Sequence, residues 1–286
     1  MTAAEPQGLR PSVIEADDLA LGFGDRLVLD GVTFKVPAGQ LTCIIGGSGC
    51  GKSTLLRSFV GLAVPVRGNV TILGERVDRL SEDGRAALLA RVGLMFQDGA
   101  LLNSLTLSEN LAIPLRAHTT LAEDLIADLV RMKLALVHLE GAGDKLPGEL
   151  SGGMRKRAGL ARALMLDPEV VFCDEPSAGL DPATAADIDR LFVQLRDSLG
   201  LTLVIVTHET ASIHLIADRI LQLEGGKIGF DGTLADALAS RDPSLLAFFG
   251  RHAPDEERLV QDSALEALTD VRAAQEAVPS DDQEVP

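Results

Sequence analysis

Apolar and polar positions alternate along the first part of the chain in a way that predicts β-strands. Residues 13–21 and 27–36 alternate on either side of a glycine-containing turn at 22–25, which predicts two antiparallel strands. The apolar run 41–45 predicts a buried strand, because both faces of such a segment must be covered. Further strands are expected over 69–73 and 92–96.

The spacing becomes helical between Gln97 and Leu166, where one helical face carries Leu121, Leu125, Ile126 and Leu129. A second helical run covers 154–166. Beyond this region, strand and helix alternate: an apolar strand at 170–173, a helix after Pro182, and an apolar strand at 201–206. Such alternation predicts an α/β fold with a largely parallel sheet, helices on both faces, and an inserted helical segment over about 98–166.

Composition and charge restrict the classes of function. The chain has 286 residues and a formal net charge of −16, which argues against nucleic acid as a partner because binding phosphate backbones needs a concentrated positive surface. No 18-residue apolar run occurs and the first residues lack signal-peptide character, so we expect a cytosolic chain. Three cysteines, Cys43, Cys50 and Cys173, have no metal-binding spacing and are expected to be reduced.

The last residues, 251–286, differ from the rest in composition. They hold ten acidic residues against three arginines. Val260, Ala264, Leu268 and Val271 keep helical spacing, so a short amphipathic helix is expected before a disordered end at 279–286. We therefore place one domain over 13–250 and an acidic tail after it.

A glycine-rich segment between a predicted strand and a predicted helix is typical of a phosphate-binding loop, and a plain glycine turn with a solvated lysine is the alternative. Its glycines would let successive N–H groups face a phosphate at a helix N-terminus. Lys52 would reach the β- and γ-phosphates of a nucleotide, Ser53 would bind Mg²⁺, and Thr54 would donate to phosphate oxygens. The segment consists of Gly46, Gly47, Ser48, Gly49, Cys50, Gly51, Lys52, Ser53 and Thr54.

Two carboxylates follow the buried strand at 170–173, at the end where parallel sheets bind ligands. Asp174 is the candidate ligand of Mg²⁺, and Glu175 is the candidate to orient the water that attacks the γ-phosphate. A strand end with solvated acids is the alternative. Farther back, Ser151 is a good helix N-cap, and Gly152 and Gly153 would expose N–H groups at that helix start, forming a second anion site.

With these motifs in this order, the chain resembles the ATP-binding cassette ATPases over residues 13–245. The resemblance implies a P-loop NTPase core with an N-terminal antiparallel β subdomain and an inserted α-helical subdomain. It further implies ATP and Mg²⁺ as ligands, ATP hydrolysis, and a homodimer in which Ser151, Gly152, Gly153 and Asp181 contact the ATP held by the other chain.

The same resemblance assigns roles to three more residues. Gln97 would touch Mg²⁺ and sense a membrane permease, and His208 would contact the γ-phosphate as a catalytic switch. Phe23 stands where the family places an aromatic ring against adenine, and tyrosine and tryptophan are absent from this chain. The family's usual glutamine after the two glycines is Met154 here, which leaves the backbone donors unchanged.

Met154 with the basic run after it, and the segments 96–102 and 107–116, are similar to the Mla-type branch of the family, which moves phospholipids or other hydrophobic molecules across bacterial envelopes. That similarity implies permease subunits, an MCE-domain protein, a small regulatory subunit in some systems, and a peripheral position at the cytoplasmic face of the inner membrane. An ATPase of an importer or exporter for another solute is the first alternative. A soluble cassette acting on DNA or ribosomes is the second.

Overall fold

The structure is a computed structural model that describes residues 11–24 and 26–251; of Arg251 it describes the backbone only. Its first layer is an antiparallel sheet of four strands in the order β2-β1-β4-β5. The strands are β1 (Ser12–Phe23), β2 (Arg26–Pro37), β4 (Arg67–Ile72) and β5 (Glu75–Arg76). The antiparallel pair predicted from the alternation is β1 and β2, in a register that places Phe23 opposite Arg26 at the turn.

A second sheet of six strands has the order β10-β9-β3-β8-β7-β6. Its neighbours from β9 to β6 run parallel, and β10 is antiparallel to β9 at one edge. The strands are β3 (Leu41–Gly46), β6 (Val92–Met95), β7 (Val170–Asp174), β8 (Thr202–Val206), β9 (Arg219–Glu224) and β10 (Lys227–Thr233). The last two were not anticipated; β10 has no fully buried residue, and its two large apolar side chains are Ile228 and Phe230.

Nine α-helices occur in the described part of the chain. They are α1 (Lys52–Phe59), α2 (Glu82–Leu89), α3 (Leu107–His118), α4 (Glu123–Leu136), α5 (Gly152–Ala163), α6 (Pro182–Leu199), α7 (Thr210–Ile216), α8 (Leu234–Ala239) and α9 (Pro243–Arg251). Short 3-10 turns follow β5 and precede α5. Among the described residues, no helix is both long enough and apolar enough to cross a membrane.

The six-stranded sheet carries an apolar cluster on each face, which explains why its central strands are apolar throughout. In β3, Cys43 and Ile45 face the cluster that includes α3 to α7, whereas Ile44 faces the cluster shared with α1 and the antiparallel sheet. Successive residues of a strand point to opposite faces, so burial on both sides demands a continuous apolar run. The predicted α/β fold, with both a parallel sheet and an antiparallel subdomain, is confirmed.

The described residues between 98 and 166 form helices and loops, and contain no strand. Helix α3 lies within the segment that the sequence predicted to be helical, although no individual helix was placed at these residues. It begins with a capping box, in which Thr106 accepts from the Glu109 amide and Glu109 accepts from the Thr106 amide. The domain and insertion bounds, 13–250 and 98–166, stay sequence-based expectations. The tail predicted over 251–286, with its helix over 260–271, lies outside the described residues except for Arg251, which ends the last described helix.

Candidate functional site

The phosphate loop, residues 46–54, connects β3 to α1 at the carboxyl edge of the six-stranded sheet. Glycine is required at two of its positions. Gly46 has φ of +149°, and a Cβ there would lie 2.4 Å from the Leu223 carbonyl oxygen; Gly51 has φ of +107°, and a Cβ there would lie 2.6 Å from Leu29. Side chains at these two positions would therefore clash with the adjoining strands, and the turn needs backbone angles that glycine adopts without strain.

Lys52 and Ser53 open α1 at the base of this loop. The Lys52 ammonium donates to the carbonyl oxygens of Gly46 (2.8 Å) and Gly47 (3.0 Å), so its charge is held over the loop. The Ser53 hydroxyl hydrogen-bonds to the carboxylate of Asp174 at the end of β7. Burial raises the pKa of Asp174, while this hydrogen bond and nearby cations oppose the rise. A partly buried carboxylate beside a hydroxyl is a donor set that Mg²⁺ accepts.

Glu175 lies next to the phosphate loop and contacts the residue predicted as the switch histidine. Its Oε1 lies 2.8 Å from Nδ1 of His208, while its Oε2 is buried and has no hydrogen-bond partner among the described residues. Glu175 also has φ of +47°, and its amide donates to the Val206 carbonyl at 2.8 Å. The strained backbone is thus held by β8, and the buried Oε2 is an unsatisfied acceptor, which is common at functional sites.

These elements surround one cavity of about 1570 Å³. Its lining includes the whole phosphate loop together with Phe23, Gln97, Asp174, Glu175 and His208. Phe23, at the end of β1, is 63% exposed, so its ring is available for stacking. The residues fit ATP with Mg²⁺: amide donors and a lysine for phosphates, oxygen ligands for the metal, and an exposed ring for a base.

Ser151, Gly152, Gly153 and Asp181 do not line this cavity. Ser151 is the N-cap of α5 and accepts from the Met154 amide at 3.2 Å, as predicted. A second, separate cavity of about 360 Å³ includes Ser151 and Gly153. The residues expected to act on a second chain's nucleotide therefore lie apart from the chain's own phosphate loop.

Asp181 also has a local role that was not anticipated. It is the N-cap of α6, where its carboxylate accepts from the Thr184 amide (3.0 Å) and hydroxyl (2.6 Å). These hydrogen bonds hold the pKa of Asp181 below its usual value. Substitution of Asp181 would therefore disturb α6 as well as any contact with a partner.

Lys156 belongs to the basic run after Met154, and it contacts the backbone of two site residues. It is 7% exposed, and its ammonium donates to the carbonyl oxygens of Gln97 and Glu175. Gly152, the first residue of α5, lies four residues before it on the same side of the helix. Periodicity could not reveal this link, because a lysine in a basic run is usually solvated.

A second buried charged side chain was also missed. Asp189 of α6 is 3% exposed, its carboxylate accepts a hydrogen bond from the Ser212 hydroxyl, and its Oδ1 has no hydrogen-bond partner in the part of the chain that the structure describes. Burial raises the pKa of Asp189 to about 6, and the Ser212 hydrogen bond only partly offsets this rise. Ser212 in turn lies 3.5 Å from the Ser177 hydroxyl, two residues beyond Glu175.

Known proteins are similar to this chain in sequence. The family described as ABC transporter matches residues 29–178. The "Probable ribonucleotide transport ATP-binding protein mkl" of Mycobacterium tuberculosis is 41% identical over 235 residues, covering 82% of this chain and 66% of that protein. The "Intermembrane phospholipid transport system ATP-binding protein MlaF" is 38% identical in Haemophilus influenzae and 37% identical in Escherichia coli, covering 84% and 83% of this chain and 91% and 88% of those proteins. The chain therefore spans slightly less than two thirds of the mycobacterial relative.

Solved structures give the same result. A dimeric cassette called MJ0796, described as a post-hydrolysis state bound to ADP and phosphate, superimposes with a TM-score of 0.71 at 28% identity, over 77% of this chain and 98% of that one. The protein cbiO1 of Clostridium perfringens superimposes with a TM-score of 0.75 at 28% identity, over 87% of this chain and 99% of that one. The resemblance predicted from the motifs is confirmed: this chain belongs to the ABC transporter family of ATP-binding cassette proteins.

Proposed function

We propose that this chain is the ATP-hydrolysing subunit of an Mla-type ABC transporter that moves phospholipids or other hydrophobic molecules across the bacterial envelope. The observation that carries the proposal is the single cavity that brings the phosphate loop, Asp174, Glu175 and His208 together. Family membership and the likeness to proteins named MlaF support it.

In the proposed reaction, Phe23 stacks on adenine, and the amides of the phosphate loop bind the phosphates with Lys52. Ser53, Gln97 and Asp174 would hold Mg²⁺, which when bound neutralises charge on the phosphate oxygens. Hydrolysis needs a water molecule in line with the bond to be broken. These groups would hold the γ-phosphate in place for that water.

Glu175 is the residue proposed to act on this water. Its carboxylate accepts a hydrogen bond and then a proton from the water, whose oxygen bonds to the γ-phosphorus as the bond between phosphorus and the ADP oxygen breaks; ADP and inorganic phosphate are the products. His208, 2.8 Å from Oε1, would orient the carboxylate and contact the γ-phosphate. The Oε2 atom, which has no hydrogen-bond partner among the described residues, is the acceptor proposed for the water.

The complete site is proposed to be shared by two copies of the chain. Ser151, Gly152 and Gly153 would bind the γ-phosphate held by the partner chain, with Asp181 at the interface; the dimeric MJ0796 cassette supports this assembly. Closure on ATP and opening after hydrolysis would move the helical segment and, through it, a pair of permease subunits. An MCE-domain protein, and a small regulatory subunit in some systems, complete the proposed complex at the cytoplasmic face of the inner membrane.

Purification of the complex from detergent-solubilised membranes, followed by identification of its subunits, tests the proposal. We expect a permease and an MCE-domain protein, and phosphate release from ATP by the purified complex. A periplasmic binding protein in their place would assign the chain to a polar-solute importer. Recovery of the chain with ribosomes or DNA, and without a permease, would contradict a transport function.

Ribonucleotide transport is a second candidate, because the mycobacterial relatives at 41% identity are named for it. Reconstitution of the purified complex into vesicles separates the two. Transfer of labelled phospholipid that depends on ATP supports the first proposal, and accumulation of labelled ribonucleotide without lipid transfer supports the second.

A further inference from the structure

One face of α5 binds the backbone of the segment that follows β6. Lys156 donates to the Gln97 carbonyl, and Arg162, six residues later in the helix, donates to the carbonyl oxygens of Ala100 (2.6 Å) and Gly99 (3.1 Å). Three carbonyl oxygens of the segment 97–100 thus accept from cations of a single helix. The segment 97–100 is held against α5 along nearly two turns of that helix.

Close packing supports the same contact. Gly159 lies between the two cations, and a Cβ there would come within 2.8 Å of the Cα of Gly99. A Cβ on Gly99 would lie 3.0 Å from the Arg155 carbonyl oxygen, and Gly99 has φ of +72°. The two backbones therefore approach without intervening side chains, so that movement of α5 displaces the segment as well.

Lys156 extends this contact to the end of β7. Besides Gln97, its ammonium donates to the carbonyl oxygen of Glu175 at 3.0 Å. Glu175 has a left-handed backbone, so the position of that carbonyl is coupled to the direction of its side chain. One side chain from α5 thus bonds both to the segment with Gln97 and to the residue that faces the attacking water.

The buried environment of Lys156 restricts where its ammonium group can lie. Burial lowers the pKa of Lys156, and the opposing influences are the negative charges of Asp98, Glu175 and Asp174. A mostly buried ammonium needs hydrogen-bond acceptors, because an unpaired one carries a large desolvation cost. The two carbonyl oxygens meet that need, so the lysine is held in one geometry.

We propose that Lys156 is a positioning residue that makes the main chain of Glu175 follow the orientation of α5. This rests on the proposed function, in which Ser151 at the start of the same helix binds the ATP of the partner chain. Lys156 lies five residues, about 7.5 Å, along the axis from Ser151. Hydrolysis in one site then depends on whether the same chain's helix is engaged with nucleotide in the other site.

Three variants of the assembled complex test this proposal. Lys156→Met removes the ammonium and keeps the stem, and Lys156→Arg keeps a cation with several donors. Lys133→Met is the matched control, because Lys133 is also largely buried in the helical segment but pairs with Asp167, away from the site. The measurements are ATP affinity, kcat, and the Hill coefficient for ATP in steady-state hydrolysis.

We expect wild type and Lys133→Met to hydrolyse ATP with a Hill coefficient above 1. Lys156→Met should lower kcat about tenfold or more, keep ATP affinity within about twofold, and reduce the Hill coefficient toward 1. Lys156→Arg should restore most of the wild-type kcat and most of the wild-type Hill coefficient. A purely structural role would lower the melting temperature and the fraction of active enzyme, but would leave the Hill coefficient unchanged.

Equal kcat and Hill coefficients in Lys156→Met and Lys133→Met would overturn the proposal, as would a wild-type Hill coefficient of 1. If Lys156→Met does not fold, Lys156→Gln is measured instead, because glutamine keeps an N–H donor without the charge. The Hill coefficient of that variant then decides the proposal in the same way. A wild-type complex that releases no phosphate would contradict the proposed function itself, which is a different result from hydrolysis without cooperativity.

Discussion

The Nδ1 of His208 lies 2.8 Å from Oε1 of Glu175, although 33 residues separate them in the chain. The contact forms because β7 and β8 are parallel neighbours, so their carboxyl ends meet at one edge of the sheet. Glu175 directly follows β7, and His208 follows β8 by two residues. The second carboxylate oxygen of Glu175 has no hydrogen-bond partner among the described residues, and the first prediction concerns this carboxylate.

Glu175→Gln should bind ATP normally and lose hydrolysis by about 10²–10⁴-fold, because an amide cannot accept the proton that a carboxylate accepts. The checks are phosphate release and a separate equilibrium binding measurement with ATP. His208→Ala is the companion variant, and we expect a smaller loss because the carboxylate remains. Turnover by Glu175→Gln at the wild-type rate would remove Glu175 from the proposed mechanism.

Phe23→Ala should raise the dissociation constant for ATP about tenfold and leave kcat nearly unchanged, since stacking of a base on an aromatic ring is worth about 1–3 kcal/mol. Phe23→Tyr, which keeps a ring, is the control and should bind ATP as wild type does. Leu27 also lines the cavity. If Phe23→Ala binds ATP as tightly as wild type while Leu27→Ala does not, the adenine contact belongs to Leu27.

Gly46→Ala should destabilise the fold by several kcal/mol, because a methyl group would lie 2.4 Å from the Leu223 carbonyl and the position has φ of +149°. Gly47→Ala is a matched neighbour, with no atom within 4 Å of the added Cβ and no positive φ. Thermal melting of both variants without nucleotide is the measurement. Equal melting temperatures would show that the loop can relax around the methyl group.

Asp189→Asn should stabilise the protein at pH 8 and have little effect near pH 4. Burial raises the pKa of Asp189 to about 6 from an ordinary value of 3.8, so the folded state binds its proton more tightly than the unfolded chain does. That advantage is complete below pH 4 and is lost as the pH rises through 6. The difference at pH 8 corresponds to at most about 3 kcal/mol.

Urea unfolding of wild type and Asp189→Asn between pH 4 and 8 checks this expectation. Asp197→Asn, on an exposed part of the same helix, is the control. A stability difference between wild type and Asp189→Asn that stays constant across this pH range would mean that Asp189 does not titrate between 4 and 6 in the folded protein.

Much of the fold followed from local patterns. Alternation in β1 and β2, and the apolar runs of β3, β7 and β8, are imposed by burial on one or two faces, so their positions were predictable. The strands β9 and β10 were missed, and α3 was predicted only as part of the helical insertion, without its bounds. A half-exposed edge strand such as β10 leaves a weak periodic signal.

The sequence by itself determined the family, the phosphate loop at 46–54 and the identity of the acidic and histidine residues, because those functions need fixed residue types at fixed spacing along the chain. Only the tertiary structure decided which of them meet: that Glu175 contacts His208, that Ser151 lies apart from its own phosphate loop, and that Lys156 joins Gln97 to Glu175. These contacts span 33, 59 and 19 residues. Local patterns carry no information about contacts at such separations, which depend on strand order and on how α5 packs against the sheet.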